Sequence, residues 1–145
     1  MAASAFVLNK NQTKALFIHH NILNKWAWPG GHADGDGDLL TVATREITEE
    51  TGVTALPQSG KIASLDILLV PGHYKNGIFV SGHLHLDVAY VFIADEDEVR
   101  SVKLDENSGV EWFPIEKIVV GEMFNEYDVY LYTKLIQQAK EHNAK

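Results

Sequence analysis

The sequence contains no cysteine, and this absence limits the chemistry open to the chain. Without thiols it can form no disulfide, hold no thiolate-bound metal and use no cysteine nucleophile. The absence is neutral to mildly favourable for a reducing compartment, since disulfides persist mainly in oxidising ones. We therefore expect a cytoplasmic protein.

Basic residues are also scarce, with 12 Lys and Arg against 20 Asp and Glu and a net charge of −8. Such a surface repels the phosphate backbone of DNA or RNA, so we expect no nucleic-acid polymer as a partner. A phosphorylated small molecule is anionic as well and would need a cation to bridge it to so acidic a protein. The charge balance therefore hints at a bound metal.

Long apolar runs and phosphate-loop motifs are missing too. No stretch reaches 18 apolar residues and no basic start precedes an apolar run, so we expect no membrane-spanning or targeting segment. Neither G-x-x-x-x-G-K-[ST] nor a spaced G-x-G-x-x-G occurs, which leaves kinase and dinucleotide-binding functions without support. With 145 residues, 46% of them hydrophobic, the chain is expected to form a single domain over residues 1–145.

The N-terminal part of the chain has the pattern of a β-hairpin. Residues 3–8 and 14–20 favour strands, and the polar residues 9–13 between them predict a longer connecting loop. Residues 26–28 are expected to form a short strand that the Pro-Gly-Gly sequence at 29–31 breaks.

A helix is predicted from Asp38 to Thr51, after a loop rich in Gly and Asp at residues 32–38. Leu40, Ala43 and Ile47 recur at helical spacing. Asp38 is a good N-cap, and Gly52 stands where a C-terminal cap glycine belongs.

The rest of the chain predicts three strands and a closing amphipathic helix. The strands are expected at residues 62–70, 82–94 and 110–113, and the helix in the last 20 residues. A Pro71-Gly72 turn and a polar loop at residues 73–77 separate the first two strands. This order of elements predicts an α/β fold in which helices cover both sides of a mixed sheet.

Three glutamates of the predicted helix share one face. Glu46, Glu49 and Glu50 stand at i, i+3 and i+4, so their carboxylates can reach a common point. Like charges at this spacing destabilise a helix by about 0.2–0.5 kcal/mol per pair, which Arg45 offsets only in part. A hard cation such as Mg²⁺ would reverse that sign and leave positions for phosphate oxygens. The alternative is a solvated helix face without a ligand.

The same residues carry a family resemblance. Gly31, followed by Arg45-Glu46-Ile47-Thr48-Glu49-Glu50-Thr51-Gly52-Val53, resembles the Nudix box, G-x5-E-x7-R-E-U-x-E-E-x-G-U, where U is aliphatic. The resemblance implies an α/β/α sandwich with a mixed sheet between helices. It also implies hydrolysis, with Mg²⁺ or Mn²⁺, of a nucleoside diphosphate linked to another moiety, such as a nucleoside triphosphate or a conjugate. A homodimer is compatible with it.

One fixed position departs from this pattern. Gly37 stands where the family has a glutamate at the start of the helix. Asp36 and Asp38 flank the gap and could supply a carboxylate nearby, so we expect activity to survive. The opposing hypothesis is a catalytically weakened domain of the same fold that is kept for ligand binding or regulation.

The resemblance also implies residue roles. Glu46, Glu49 and Glu50 would be metal ligands and catalytic carboxylates, with the backbone carbonyl of Gly31 joining the ligands and Arg45 orienting a glutamate by a charge-assisted hydrogen bond. A metal-activated water would attack phosphorus, and the sequence leaves open which acid is the general base. A further acid often comes from a loop before a Trp-containing strand. Glu106, six residues before Trp112, is the candidate, and an exposed loop acid is the alternative.

Substrate contacts are predicted from the residues around the helix and from one strand. The candidates are Trp28, His32, His83 and His85. His83, His85 and Asp87 would share one strand face, which could bind a transition metal if a further ligand converged. The alternative is simply the polar face of a sheet. The loop at residues 73–77 and the residues before Pro29 are expected to select the substrate.

Two other functions are disfavoured. Asp34, Asp36 and Asp38 alternate as in an EF-hand loop, but Leu39 replaces its glycine and Arg45 its final glutamate. Some proteins of the Nudix fold are isomerases that act on an isoprenoid diphosphate. The main examples use a cysteine thiol, which this chain lacks.

Overall fold

The computed structural model describes residues 1–144. In this part of the chain it has ten strands and three helices. The strands are β1 Ala2–Asn9, β2 Lys14–His20, β3 Lys25–Ala27, β4 Gly30–His32, β5 Ala55–Pro57, β6 Ser64–Val70, β7 His73–Lys75, β8 Ile78–Val80, β9 His83–Ala94 and β10 Asn107–Pro114. The helices are α1 Leu39–Thr51, α2 Ile115–Val119 and α3 Glu126–Asn143.

Eight of the strands form one mixed sheet. Its central order is β10-β2-β1-β9-β5, and β3, β4 and β6 pair with β2, β1 and β9. Strands β1 and β9 run parallel, from Ala2 opposite Asp87 to Asn9 opposite Ala94, whereas the other pairs are antiparallel. The predicted mixed sheet is confirmed.

Helices cover both faces of this sheet because successive side chains of a strand point to opposite sides. On β1, Val7 packs with Ile47 of α1, while Phe6 and Leu8 pack with Leu135 of α3. The α1 side and the α3 side therefore have separate cores. This arrangement confirms the predicted α/β/α sandwich.

Helix α1 begins and ends where the sequence predicts. The Asp38 carboxylate accepts hydrogen bonds from the Thr41 backbone N–H at 3.2 Å and from its hydroxyl at 2.8 Å. Gly52 ends the helix with a φ of 74°, and its N–H donates to the Thr48 carbonyl at 3.0 Å. The caps therefore fix which residues α1 presents to the sheet.

Strand β3 ends before Pro29, as the sequence predicts, but the glycine pair that follows then begins strand β4, which was not predicted. Gly30 pairs with Ser4, and a Cβ on it would lie 2.6 Å from the Ser4 hydroxyl oxygen. The glycines are needed because β4 lies too close to its neighbours for side chains.

The predicted loop at residues 73–77 is also wrong, since β7 and β8 form a hairpin there. Asn76 and Gly77 are its two turn residues, with φ of 53° and 78°. An Asn-Gly pair is the usual two-residue hairpin turn, so the signal was present in the sequence.

The other differences are ones of extent. The short strand β3 ends at Ala27 rather than Trp28, and β10 begins at Asn107, three residues before the predicted start. Strand β5 and helix α2 were not predicted. The N-terminal hairpin, β6, β9 and the closing helix α3 are confirmed. Over residues 1–144, none of the helices has both the length and the apolar character required to cross a membrane.

Candidate functional site

Three carboxylates converge at the end of α1. Glu46 and Glu50 lie one turn apart on the helix, and Glu106 comes from the loop before β10. One oxygen from each side chain lies within 4.8 Å of the other two. Carboxylate oxygens at this separation are the type of ligand set that Mg²⁺ and Mn²⁺ take in proteins.

Glu50 is the buried member of this group, with only 3% of the residue exposed. Its Oε1 accepts a hydrogen bond from the Gly30 N–H at 3.0 Å. Burial, with the neighbouring charges of Glu46 and Glu106, raises the pKa of Glu50 to about 8, although the Gly30 hydrogen bond opposes the shift. A carboxylate held in the core at this cost fits a site that a cation completes.

Glu46 lies between Glu50 and strand β4. Burial and the nearby charge of Glu49 raise the pKa of Glu46. A Cβ added to Gly31 would lie 2.5 Å from the carboxyl carbon of Glu46. Gly31 therefore has no space for a side chain, and this close approach brings its backbone beside the carboxylates, as the predicted ligand role requires.

Glu49 and Arg45 lie to one side of the converging group. The Arg45 Nε is 3.9 Å from the Glu49 Oε1, and both side chains are nearly half exposed, at 47% and 45%. The arginine therefore contacts the glutamate four residues on, as an ion pair rather than a hydrogen bond. Glu49 is not part of the group within 4.8 Å.

A residue that the sequence did not reveal positions Glu106. Asn107 is fully buried, and its Nδ2 donates to the Glu50 backbone carbonyl at 3.0 Å, while its Oδ1 accepts from the Lys103 N–H at 3.3 Å. The Lys103 ammonium in turn contacts a Glu106 oxygen at 3.2 Å. Asn107 thus ties the Glu106 loop to the end of α1. A lone asparagine beside an acidic loop gives no sequence signal of this contact.

We expect Asn107→Ala to weaken binding of Mn²⁺ about 10- to 100-fold, the usual cost of losing a group that orients metal ligands. The loop would no longer be held to α1, so Glu106 would leave the other two carboxylates. Mn²⁺ titration followed by electron paramagnetic resonance measures the effect. Asn21→Ala is the matched control, because its amide contacts the same loop at the Leu104 carbonyl from an exposed position. Equal affinities in the two variants would contradict the role of Asn107.

The gap left by Gly37 is not filled by its neighbours. The Asp38 carboxylate caps α1, and the Asp36 carboxylate accepts the Asp38 N–H at 2.9 Å. Both side chains are exposed, and neither belongs to the converging group of the described residues. The compensation that the sequence suggested therefore has no support in these contacts.

The predicted substrate contacts divide into a core residue and a histidine cluster. Trp28 is 9% exposed and packs against Tyr132 of α3 with ring centroids 5.5 Å apart, so it lies in the α3-side core. His32, His83 and His85 instead meet one another at the surface of the same side. Trp28 is therefore a core residue, whereas the three histidines lie where a ligand could reach them.

The raised pKa of Glu50 predicts how the metal-free protein responds to pH. The folded state holds a proton on Glu50 that the unfolded state loses near pH 4.5, so its contribution to stability falls as the pH rises from about 4.5 to about 8. We expect Glu50→Gln to flatten this fall relative to Glu49→Gln, an exposed neighbour. Urea unfolding in EDTA at several pH values measures it. Parallel curves for the two variants would contradict the burial of an ionisable Glu50.

An open cleft of about 690 Å³ lies elsewhere, between the 96–102 segment and residues 108–111 of β10. It contains none of the three converging carboxylates. The cleft and the carboxylate group are therefore different places on the described surface.

Comparison with known proteins identifies a family for most of the chain. The NUDIX domain family model matches residues 1–135. Phosphatase NudJ of Escherichia coli is 43% identical over 47 residues, which are 31% of this chain and 31% of that protein. The Shigella flexneri protein of the same name matches equally. The chain spans about a third of the length of the curated relatives it matches, at 31%.

Solved structures share the fold at low sequence identity. A hydrolase of the NUDIX family from Clostridium perfringens has a TM-score of 0.69 at 19% identity, covering 94% of this chain and 95% of that one. An Ap4A hydrolase from C. elegans has a TM-score of 0.65 at 16% identity, covering 99% and 96%. The MutT protein of Methanosarcina mazei Go1 has 0.63 at 22% identity, covering 99% and 94%.

Proposed function

The chain belongs to the Nudix hydrolase family, whose model matches residues 1–135, and from that membership we propose that it is a divalent-metal-dependent pyrophosphohydrolase. It would cleave a nucleoside diphosphate linked to another moiety. The observation that carries the proposal is the convergence of Glu46, Glu50 and Glu106 within 4.8 Å. A surface helix without a ligand gives no reason to bury Glu50 beside two other acids.

The donor set favours Mg²⁺ or Mn²⁺ as the cation. The three side chains offer only oxygen. Burial and charge repulsion raise the pKa values of Glu46 and Glu50, and a bound ion would offset both effects. We assign the ion to Glu46, Glu50 and Glu106, with the Gly31 carbonyl joining them. When bound, the cation would neutralise charge on the diphosphate and lower the pKa of a water molecule.

Glu49 is the helix carboxylate best placed to accept a proton. Glu46 and Glu50 belong to the crowded group, whereas Glu49 lies beside it, nearly half exposed and 3.9 Å from Arg45. The arginine would limit the rotation of the Glu49 side chain. We therefore propose Glu49 as the general base and Arg45 as the residue that positions it.

A small phosphorylated molecule, in our proposal a nucleotide, is the substrate. The names of similar proteins include a phosphatase, an Ap4A hydrolase and MutT, so they do not single out one compound. The β7–β8 hairpin is a candidate for substrate selection, since Tyr74 and Phe79 on it are 71% and 56% exposed. Exposed aromatic rings can stack on a nucleobase.

The test is release of phosphate or nucleotide from a panel of substrates by the metal-stripped chain and by the chain reloaded with Mg²⁺ or Mn²⁺. The panel holds dNTPs, oxidised dNTPs, ADP-ribose, dinucleoside polyphosphates and nucleotide sugars. We expect turnover of at least one class only after reloading. No turnover of any compound, with Mn²⁺ bound, would contradict the proposed activity.

A second candidate is a ligand-binding or regulatory domain with a weakened site, which the missing glutamate at position 37 favours. A Cβ at Gly37 meets nothing within 4 Å, and its φ is not positive, so a side chain fits there without strain. Gly37→Glu therefore restores the family pattern in an otherwise unchanged backbone.

The two candidates predict different results for Gly37→Glu, with Gly37→Gln as the uncharged control. If the site is already competent, turnover changes less than about threefold. If the native site is weakened, the charged variant gains at least tenfold over the control, and the binding-domain function becomes the better explanation.

We further propose that residues 1–145 form a single domain and that the chain can form a homodimer. One cooperative unfolding transition and a dimer mass in light scattering are the expected results. Two transitions or a monomer mass would contradict these respective proposals.

A further inference from the structure

Three histidines from two strands meet on the α3 side of the sheet. His83 and His85 alternate on β9, so both point to the same face, and His32 reaches them from the end of β4. The Nε2 atoms of His83 and His85 are 2.8 Å apart. The ring centroids of His32 and His85 are 4.6 Å apart, as are those of His83 and His85.

A backbone hydrogen bond determines which nitrogen of His83 is available. The Nδ1 of His83 lies 2.8 Å from the Ser81 carbonyl oxygen. A carbonyl can only accept, so Nδ1 carries the hydrogen and the neutral ring has its lone pair on Nε2. That lone pair points at His85. Histidines that bind metals almost always donate their other ring N–H to a carbonyl or carboxylate in this way.

The surroundings of His85 favour its neutral ring, which is the form that binds a metal. Burial lowers the pKa of His85, and the neighbouring rings of His32 and His83 lower it further. Two neutral rings can share one hydrogen across the 2.8 Å contact, but protonation of both would place two donors against each other. A metal cation bound between the two rings would accept both Nε2 lone pairs and so remove the need for a shared hydrogen.

We propose that His83 and His85, with His32 as a third ligand, bind a transition-metal ion of the Zn²⁺ type. Imidazole nitrogen suits Zn²⁺, Ni²⁺ and Cu²⁺, whereas carboxylate oxygen suits Mg²⁺ and Mn²⁺. Two nitrogens on one tetrahedral Zn²⁺ lie about 3.3 Å apart, given Zn–N bonds of about 2.0–2.1 Å. The His83 and His85 nitrogens therefore need to separate only slightly. The three histidines do not yet bring one nitrogen each within 4.8 Å of the other two in the described residues. His32, which meets the His85 ring edge-on at 84°, therefore needs to rotate to become the third ligand.

This site is separate from the three carboxylates. His85 lies on the same face of β9 as Ala89 of the α3-side core, whereas Glu46 and Glu50 belong to helix α1 on the opposite face of the sheet. The proposal therefore does not depend on the hydrolase activity. It predicts two metal sites of different ligand chemistry in one chain.

The test is calorimetric titration of EDTA-treated, dialysed protein with Zn²⁺ in the presence of excess Mg²⁺, which occupies oxygen sites. We expect one Zn²⁺ per chain. His85→Ala and His83→Ala should each weaken binding at least tenfold, and His32→Ala should weaken it at least threefold. His142→Ala, a substitution of an exposed histidine on α3, is the matched control and should bind as the wild type does.

Equal Zn²⁺ affinity in wild type and His83→Ala/His85→Ala would overturn the proposal. So would loss of Zn²⁺ binding in Glu50→Gln with binding unchanged in the histidine variants, because the ion would then occupy the carboxylates. An unchanged affinity in His32→Ala would remove His32 from the ligand set.

A measurement on the unmodified chain does not depend on how the variants fold. Two-bond ¹H–¹⁵N spectra of the imidazoles report on each ring nitrogen. Zn²⁺ should shift the Nε2 signals of His83 and His85 while His142 stays unchanged. Equal shifts in all histidines, or none, would contradict a specific site.

Discussion

Glu50→Gln is expected to lower kcat by on the order of 10³-fold, because a metal-bound carboxylate of a hydrolase contributes on that scale. The substitution is close to isosteric, and the glutamine oxygen can still accept the Gly30 N–H that Glu50 binds at 3.0 Å. The lost property is therefore charge, not shape. Steady-state hydrolysis of the best substrate from the panel measures the effect.

The same variant should be more stable than the wild type in EDTA near pH 8. Glu50 is 3% exposed, and ionising it in the metal-free protein requires desolvation of a charge that glutamine lacks. Glu141→Gln, an exposed change of the same kind on α3, should alter neither kcat nor melting temperature. A Glu50→Gln variant that turns over at the wild-type rate would remove Glu50 from the site.

Gly31→Ala is expected to lower kcat at least 100-fold, a larger loss than a single added methyl group causes at a surface. The new Cβ would lie 2.5 Å from the carboxyl carbon of Glu46 and 2.6 Å from its Oε1, so the glutamate must leave its position. Small displacements of catalytic groups cost activity on this scale. The measurement is kcat at saturating Mn²⁺, together with Mn²⁺ affinity.

Gly37→Ala is the matched control, since the same methyl group there meets nothing within 4 Å. It should retain activity within about twofold. If Gly31→Ala kept both its activity and its Mn²⁺ affinity, the close packing of β4 on Glu46 would have no functional meaning.

The sequence predicts the helix and its acids well because their signals are local. The cap residue Asp38, the apolar spacing of α1 and the cap glycine Gly52 all act within one turn of the helix. Glu46, Glu49 and Glu50 then share a face by helical geometry alone. The confirmed helix boundaries follow from these short-range contacts.

Contacts between distant segments could not be predicted in the same way. Helical spacing places Glu46, Glu49 and Glu50 on one face. The position of the loop that carries Glu106 decides that Glu106 meets Glu46 and Glu50 and not Glu49. That position depends on Asn107, which binds the carbonyl of a residue 57 positions earlier. No local pattern carries such a contact.

The Gly30-Gly31 pair shows a different limit. A proline and two glycines predict the end of the preceding strand, which is observed, but they do not predict that the glycines themselves begin another strand. Tertiary packing overrides the local propensity of the glycines here. Strand β4 pairs with β1, and Glu46 occupies the space that a side chain at Gly31 would need.

The proposed hydrolysis requires a cation held by Glu46, Glu50 and Glu106, and Mn²⁺ titration followed by electron paramagnetic resonance measures the binding of that cation. The titration compares the wild type with Gln variants of these three residues and of Glu49. We predict at least tenfold weaker binding for each of the three, and less than threefold for Glu49→Gln. Wild-type Mn²⁺ affinity in the variant that replaces all three carboxylates would show that Glu46, Glu50 and Glu106 do not hold the cation.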